Sequence, residues 1–306
     1  MKTIFAVILL SLALAMAAHA DTIQIESTFT KTQKWLNDNN MALTGGASGA
    51  RDDAAAFRQE ALIFYGEAAG NPEHHSPAQR EQMAKRAAVV TAQRALLEYL
   101  KGFVMVGVTL VKDSVIQDDL ILSAVTGMVK GSQVVVQEYN KETDSAIAII
   151  KVGMHGPKGF ASTFYEKMAS DPKMKATVTT DKKPFQTEAV KLDEAYDGLV
   201  IDATSQNFRP ALINRIFAVK GDVLYDPAKI SQKVLVEQGC GEYTNSVGKA
   251  KAALATRGVN NPLIVKASGA ISGADLQVTD GDAVTIFTAN QKGNFMAAAK
   301  VAFVLK

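Results

Sequence analysis

One cysteine, Cys240, is all this sequence carries, so no disulfide closes within a single chain and stability must come from packing. An excess of one charge sign is missing too. With 33 basic against 31 acidic residues mixed along the chain, nothing resembles a nucleic-acid footprint. Long apolar runs are confined to the N-terminus; even Phe103 to Val111 is soon interrupted by Lys112 and Asp113, too early to cross a bilayer. The small-residue piece Thr44 to Ala50 lacks the Gly-Lys-Ser/Thr ending of a phosphate loop, which leaves it as an expected flexible connector. Histidines number four. His74 and His75 are adjacent, whereas chelating pairs on a helix stand four apart, and His155 is isolated before Gly156-Pro157, so no metal site is indicated. Asp280-Gly-Asp282 lacks the alternating oxygen ligands and closing Glu of a calcium loop. No cofactor signature is present.

What is present begins with an export address. Lys2 precedes the apolar run Ile4 to Ala18, and Ala18-His19-Ala20 is the small-x-small pattern read by signal peptidase, so cleavage is expected before Asp21. A lipoprotein would need Cys at position 21; with Asp there, no lipid anchor is expected. The product is expected in the periplasm, secreted or associated with the outer membrane.

The rest divides into an N-terminal polar and helical segment, 21–56, expected to be loosely packed; an α+β domain, 57–155; a Lys-rich and Pro-containing linker, 156–190; and a C-terminal domain, 191–306. In the first domain Leu62-Ile63-Phe64-Tyr65 has the composition of a strand. A long helix follows, with Ser76 as its cap, Pro77 at its first position and Gln79 three residues after the cap. Ala88, Ala92, Ala95, Leu96 and Tyr99 recur at helical spacing. Phe103 to Val111 reads as a buried strand, and Asp118-Asp119 opens a second helix that Gly131 closes. Gln133 to Tyr139 and Ser145 to Val152 form a hairpin around a polar turn. The order strand-helix-strand-helix-strand-strand predicts a sandwich with two helices on one face of a small sheet.

In the C-terminal part, strands are expected at Gly198 to Ala203, Ala211 to Val219, Asp222 to Tyr225, Leu263 to Ala267, Asp275 to Val278 and Lys300 to Leu305. Helices are expected at Ser231 to Gln238, Ser246 to Ala255 and, capped by Asp280, Gly281 to Ala289. The alternation is not regular enough for a doubly wound sheet, so a second α+β domain is expected.

Three stretches, Gln82-Met-Ala-Lys-Arg-Ala-Ala, Ala92-Gln-Arg-Ala-Leu-Leu-Glu-Tyr-Leu-Lys-Gly and Val125-Thr-Gly-Met-Val-Lys-Gly-Ser, together resemble the FlgP-like family of envelope proteins. That family includes small outer-membrane lipoproteins of the LPP-twenty type and a flagellar assembly factor. The resemblance covers Ala61 to Val152, without the lipidated Cys and with a long second domain added. Asp197-Gly-Leu-Val-Ile-Asp-Ala, Arg209-Pro-Ala-Leu and Gly221-Asp-Val-Leu-Tyr look like a C-terminal region that accompanies this domain in some exported bacterial proteins. The resemblance implies a non-enzymatic role in building an envelope structure, the flagellum among the settings, with envelope proteins or further copies of the chain as partners.

Residue chemistry adds little to that. Cys240, in Gln-Gly-Cys-Gly-Glu, has no evident base and reads as a small buried hydrophobe. Asp202 and Arg209, with Arg215 nearby, form either a structural ion pair or ligand contacts in a cleft between the domains. The second reading makes the chain a periplasmic small-molecule binding or sensor module. Arg86, Arg94 and Glu98 lie on a helix face that is either solvated or used for assembly, as is any exposed sheet edge.

Overall fold

The computed structural model describes residues 23, 25–73, 76–101, 104–106, 108–109, 119–156 and 159–306. The expected export address and the His74-His75 pair lie outside these residues. The fold is α+β.

The described elements are, in order, α1 (Thr30–Asp38), β1 (Gly45–Gly46) and α2 (Asp53–Arg58), then β2 (Ala61–Ala69) and α3 (Pro77–Lys101). Next come β3 (Val104–Val106), β4 (Val108–Thr109), α4 (Asp119–Lys130), β5 (Gln133–Asn140) and β6 (Ser145–Gly153). The first sheet has the order β1-β2-β6-β5, with β1 parallel to β2 and the rest antiparallel. Its residues alternate between two faces, as the period of two requires. Leu62, Phe64 and Ile150 face α3, while Ala61, Ile63, Tyr65, Ile147 and Ile149 form a second core with Phe29 and Leu43. As the sequence predicts, α3 has Pro77 first and the Ser76 hydroxyl accepting from the Gln79 amide at 3.4 Å.

Three expectations need correction here. The N-terminal segment is not loosely packed: Phe29 and Thr32 are fully buried, and α1 covers the sheet face that α3 leaves open. Thr44 to Ala50 is not a free connector either. Gly45 and Gly46 pair with Phe64 and Tyr65 as β1, and a Cβ on Gly46 would fall 1.9 Å from the Tyr65 ring, so only glycine admits this approach. The expected strand Phe103 to Val111 is described in part, as β3 and β4; among the described residues these pair with one another and not with the first sheet.

The stretch 156–190, expected to link two domains, holds α5 (Phe160–Ser170) and α6 (Pro172–Val178). Phe160, Phe164, Tyr165 and Met168 of α5 are buried in a core that runs without interruption from Leu62 and Phe64 to Leu199 and Phe303. The Ser162 hydroxyl donates to the Val236 carbonyl at 2.8 Å, and the rings of Phe57 and Tyr243 lie 4.9 Å apart, so both sides of the chain meet across a packed seam.

Beyond it lie β7 (Gly198–Asp202), β8 (Ile216–Ala218), β9 (Val223–Tyr225), α7 (Gln232–Gln238), β10 (Glu242–Thr244) and α8 (Val247–Thr256). They are followed by β11 (Pro262–Lys266), β12 (Gly269–Ile271), β13 (Asp275–Val278), α9 (Asp280–Gly293) and β14 (Val301–Val304). Four strands make an entirely parallel sheet of order β10-β14-β7-β11. Ala250 and Leu254 of α8 pack on the Val200, Ala302 and Val304 side, and Ala283, Ile286 and Ala289 of α9 join the core on the other. Opposite faces for α8 and α9 follow from right-handed crossovers that run in opposite directions. A second sheet, β12-β13-β8-β9, completes this part.

Two local readings also change. Between Ala211 and Val219 only Ile216–Ala218 is strand, because Asn214 ties the preceding loop by accepting from the Ala211 amide at 2.8 Å. The cap of α9 is Thr279, whose hydroxyl accepts from the Asp282 amide at 3.1 Å, and Asp280 is the first residue of the helix.

Candidate functional site

Asp202 and Arg209 are not brought together. The Asp202 carboxylate, at the carboxyl end of β7, closes a local turn by accepting from the Thr204 amide at 3.1 Å and its hydroxyl at 2.7 Å. Arg209 is exposed, with its backbone amide bonded to the Gly273 carbonyl at 2.7 Å and its guanidinium beside Gly273. Among the described residues no ion pair joins the two.

Arg215 is the buried cation of this region. It stands in the apolar run Leu212-Ile213-Asn214-Arg215-Ile216-Phe217 and is 4% exposed. Nε lies 3.2 Å from Asp226, Nη1 lies 3.8 Å from Asp275, and Nη2 donates to the Val178 carbonyl. Burial raises the Asp275 carboxyl above the usual range, against the opposing pull of the Arg215 amide and guanidinium. This charge cluster ties β8, β13 and the end of α6 together, and a charged residue inside an apolar run was the sequence signal for it.

Cys240 is buried as expected. Its Sγ lies 3.2 Å from the Tyr243 hydroxyl, which also bonds Asn214, while the Tyr225 hydroxyl donates to the Cys240 carbonyl. Burial pushes the thiol upward, so the thiolate that nucleophilic or redox chemistry requires is disfavoured. Burial also raises Tyr165, Tyr225 and Tyr243 well above the ordinary phenol range, which keeps all three as neutral hydrogen-bonding groups.

His155 stands in the bend that follows β6 and is half-buried. The ring packs against Gly239, where a Cβ would fall 2.6 Å from Cε1. Nδ1 is buried with no hydrogen-bond partner among the described residues. Desolvation, then the nearby Arg257 guanidinium, pushes the imidazole down to about 4, against the opposing pull of Glu242. Arg257 itself is engaged with Glu242 at 2.6 Å and with the Ala299 and Gln238 carbonyls at 2.9 and 2.7 Å. His155 is also among the residues that line a cavity of about 440 Å³ beside α4, β6 and α5.

Among the described residues no group of three or more His, Cys, Asp or Glu is placed to hold a metal ion, and no helix is long and apolar enough to cross a membrane. Residues 198–306 match a family described as Treponema pallidum Tp0624, second domain. The match opens on the first residue of β7 and takes in the parallel sheet with its helices. It covers less than half of the chain and is a likeness of this C-terminal part. None of the curated proteins is detectably similar to the chain.

Proposed function

We propose that this is an exported bacterial envelope protein with a non-enzymatic structural or assembly role, acting in the periplasm through contacts with envelope proteins or with further copies of itself. The carrying observation is the contrast between the polar groups and the first sheet's edge. Asp202, Arg215 and Cys240, the groups a reaction would draw on, are engaged in turns and buried contacts. Strand β5, eight residues long, meanwhile pairs only with β6 among the described residues and leaves Val134 42% exposed. Edge strands are usually protected by Lys, Pro or shortness. The only charged side chain on β5, Glu138, is turned inward. Such an edge suits strand addition by a partner.

Two sequence features support the reading, the export pattern at Met1 to Ala20 and the FlgP-like resemblance of Ala61 to Val152, from which the flagellar setting is drawn. Size-exclusion chromatography with light scattering on protein purified from the periplasm tests it. Oligomers that dissociate on Val134→Lys, with envelope crosslinks lost in the same variant, are expected. A strict monomer at high concentration that captures no envelope partner, or a product retained in the cytosol, rejects the proposal.

A further inference from the structure

Strand β11 borders the parallel sheet, and the direction of its backbone groups follows from one bond. The Ala267 amide donates to the Asp202 carbonyl at 2.9 Å, so the odd-numbered residues of this stretch turn their backbone toward β7. Ile264 and Lys266 stand between them and therefore point their amides and carbonyls away from the sheet. Pro262 adds an outward carbonyl and has no amide to offer. Among the described residues β11 pairs with β7 alone, and none bonds the outward groups of Ile264 or Lys266.

The side chains on this border are equally bare. Ile264 is the cross-strand neighbour of Val200, on the face covered by Ala250 and Leu254 of α8, yet it is 43% exposed, so α8 stops short of β11. Leu263 and Val265 are buried on the other face. Proline and lysine are the usual guards of a free edge, and here they stand one at each end of the strand.

Turned end for end about Ile264, β11 fits itself. Ile264 then meets Ile264 of the second copy as a pair that exchanges both backbone bonds, and each Lys266 amide reaches the Pro262 carbonyl of the second copy. Pro262 is asked only for the group it has. Charge fits the same register. Lys266 is the only charged residue of β11, and the two lysines lie about 13 Å apart along the paired strands, beyond the screening length at physiological salt. Each instead approaches Asn261 of the second copy, whose amide donates to Asp197 at 2.8 Å and whose side chain donates to Glu194 at 3.1 Å. Lysine is thus brought beside carboxylates at both ends of the contact.

We propose that this border is a dimer interface: β11 pairs antiparallel with β11 of a second copy about a two-fold axis at Ile264, joining two parallel sheets into one. The contact uses up the same edge on both copies, so it closes at a dimer and does not run on into a fibre. It goes beyond the assembly reading and does not depend on it, because β5 belongs to the other sheet and stays free for an envelope partner.

The test measures the mass of the full exported chain by light scattering across a dilution series. The parent is expected to pass from monomer to dimer as concentration rises, and added salt is expected to move that midpoint upward. Ile264→Lys alters an exposed side chain and sets like charges against each other on the axis, so dimerisation is expected to weaken by about tenfold or more while the fold is kept. Lys266→Glu is expected to weaken it too, and adding Glu194→Lys to that variant is expected to restore it. Because Cys240 is buried, Ile264→Cys supplies an accessible thiol of its own, and a short bis-maleimide is expected to join two chains through it. Val134→Lys on β5 is expected to leave the dimer intact, so a loss of larger oligomers or envelope crosslinks in that variant reports on the assembly reading alone. A parent that stays monomeric at the highest concentration, or dimerisation equal to the parent's in folded Ile264→Lys, overturns the proposal.

Discussion

Glu138 and Thr32 stand 106 positions apart, yet the Glu138 carboxylate accepts from both the Thr32 amide at 2.9 Å and the Thr32 hydroxyl at 3.0 Å. A further bond comes from the Lys31 amide at 3.1 Å. The residue before α1, Phe29, has no capping side chain. Strand β5 therefore provides the cap from the other end of the domain, where negative charge also suits the positive end of the helix.

Removing that cap should loosen α1. Glu138→Ala leaves two amides and a hydroxyl unsatisfied beneath Phe29, and a loss of about 2–3 kcal/mol is expected. Glu138→Gln keeps an acceptor and should cost about half as much. Urea unfolding midpoints check the order, and equal stability of all three proteins would refute the capping role.

The crossing of β2 and α3 depends on Gly66, where a Cβ would lie 2.2 Å from the Ala92 amide nitrogen and 2.3 Å from the Ala88 carbonyl oxygen. Both obstacles are backbone, so the helix itself must retreat. Gly66→Ala is expected to cost about 2–3 kcal/mol. Gly127→Ala, in open space within α4, should instead gain up to about 1 kcal/mol. Thermal or urea unfolding of the two variants gives opposite signs if the crossing is this close.

Arg215→Met removes the cation that compensates Asp226 and Asp275. Leaving buried carboxylates uncompensated is expected to cost about 3–5 kcal/mol at neutral pH. Burial then raises the Asp275 carboxyl further, and a group raised in the folded state favours folding at low pH. The deficit relative to the parent should therefore shrink as pH falls through the carboxylate range, which chemical unfolding at several pH values measures. A pH-independent deficit would mean that Arg215 acts through packing alone.

For His155 the sign is the reverse of that for a paired histidine. Its folded value, about 4, lies below the ordinary 6.5, so between these values the unfolded chain binds the proton and the folded chain does not. Its contribution is complete above 6.5 and is lost as pH falls toward 4, amounting to about 2–3 kcal/mol. The parent should lose stability across this window, and His155→Asn should flatten that part of the profile. Parallel curves for both proteins would show that the ring titrates normally.

Elements with their signals close together in the sequence were legible. Ser76, Pro77 and the alanine repeat place α3 without reference to the remainder of the chain. Ser246, the expected start of α8, caps it through a bond to the Lys249 amide at 3.3 Å. Long-range compensation was hidden. Nothing near Thr30 announces a cap from Glu138, and nothing in Thr44 to Ala50 reveals that Gly45 and Gly46 lie beneath the rings of Phe64 and Tyr65. The C-terminal strands read as α+β, but their parallel order is set by crossovers that local periodicity does not encode.

The candidate site followed the same division. Cys240 was legible as a buried hydrophobe because no base stands near it in sequence. The setting of His155 was not, since Gly239, Arg257 and Glu242 come beside it only when the C-terminal part has folded. Arg215 was noticed beside Asp202 and Arg209, yet its partners Asp226 and Asp275 come from separate turns of the chain.

Strand β14 lies between β10 and β7, although it follows both of them in the described sequence. During synthesis or translocation, β7 must therefore wait for residues about a hundred positions later, and β10 for residues about sixty positions later, before they acquire their shared neighbour. Deleting residues 301–306 would take out the middle of this sheet rather than trim its border. A tether that pulls on Val301–Val304 would therefore strain both neighbours at once, since β14 is the rung through which β10 and β7 are joined.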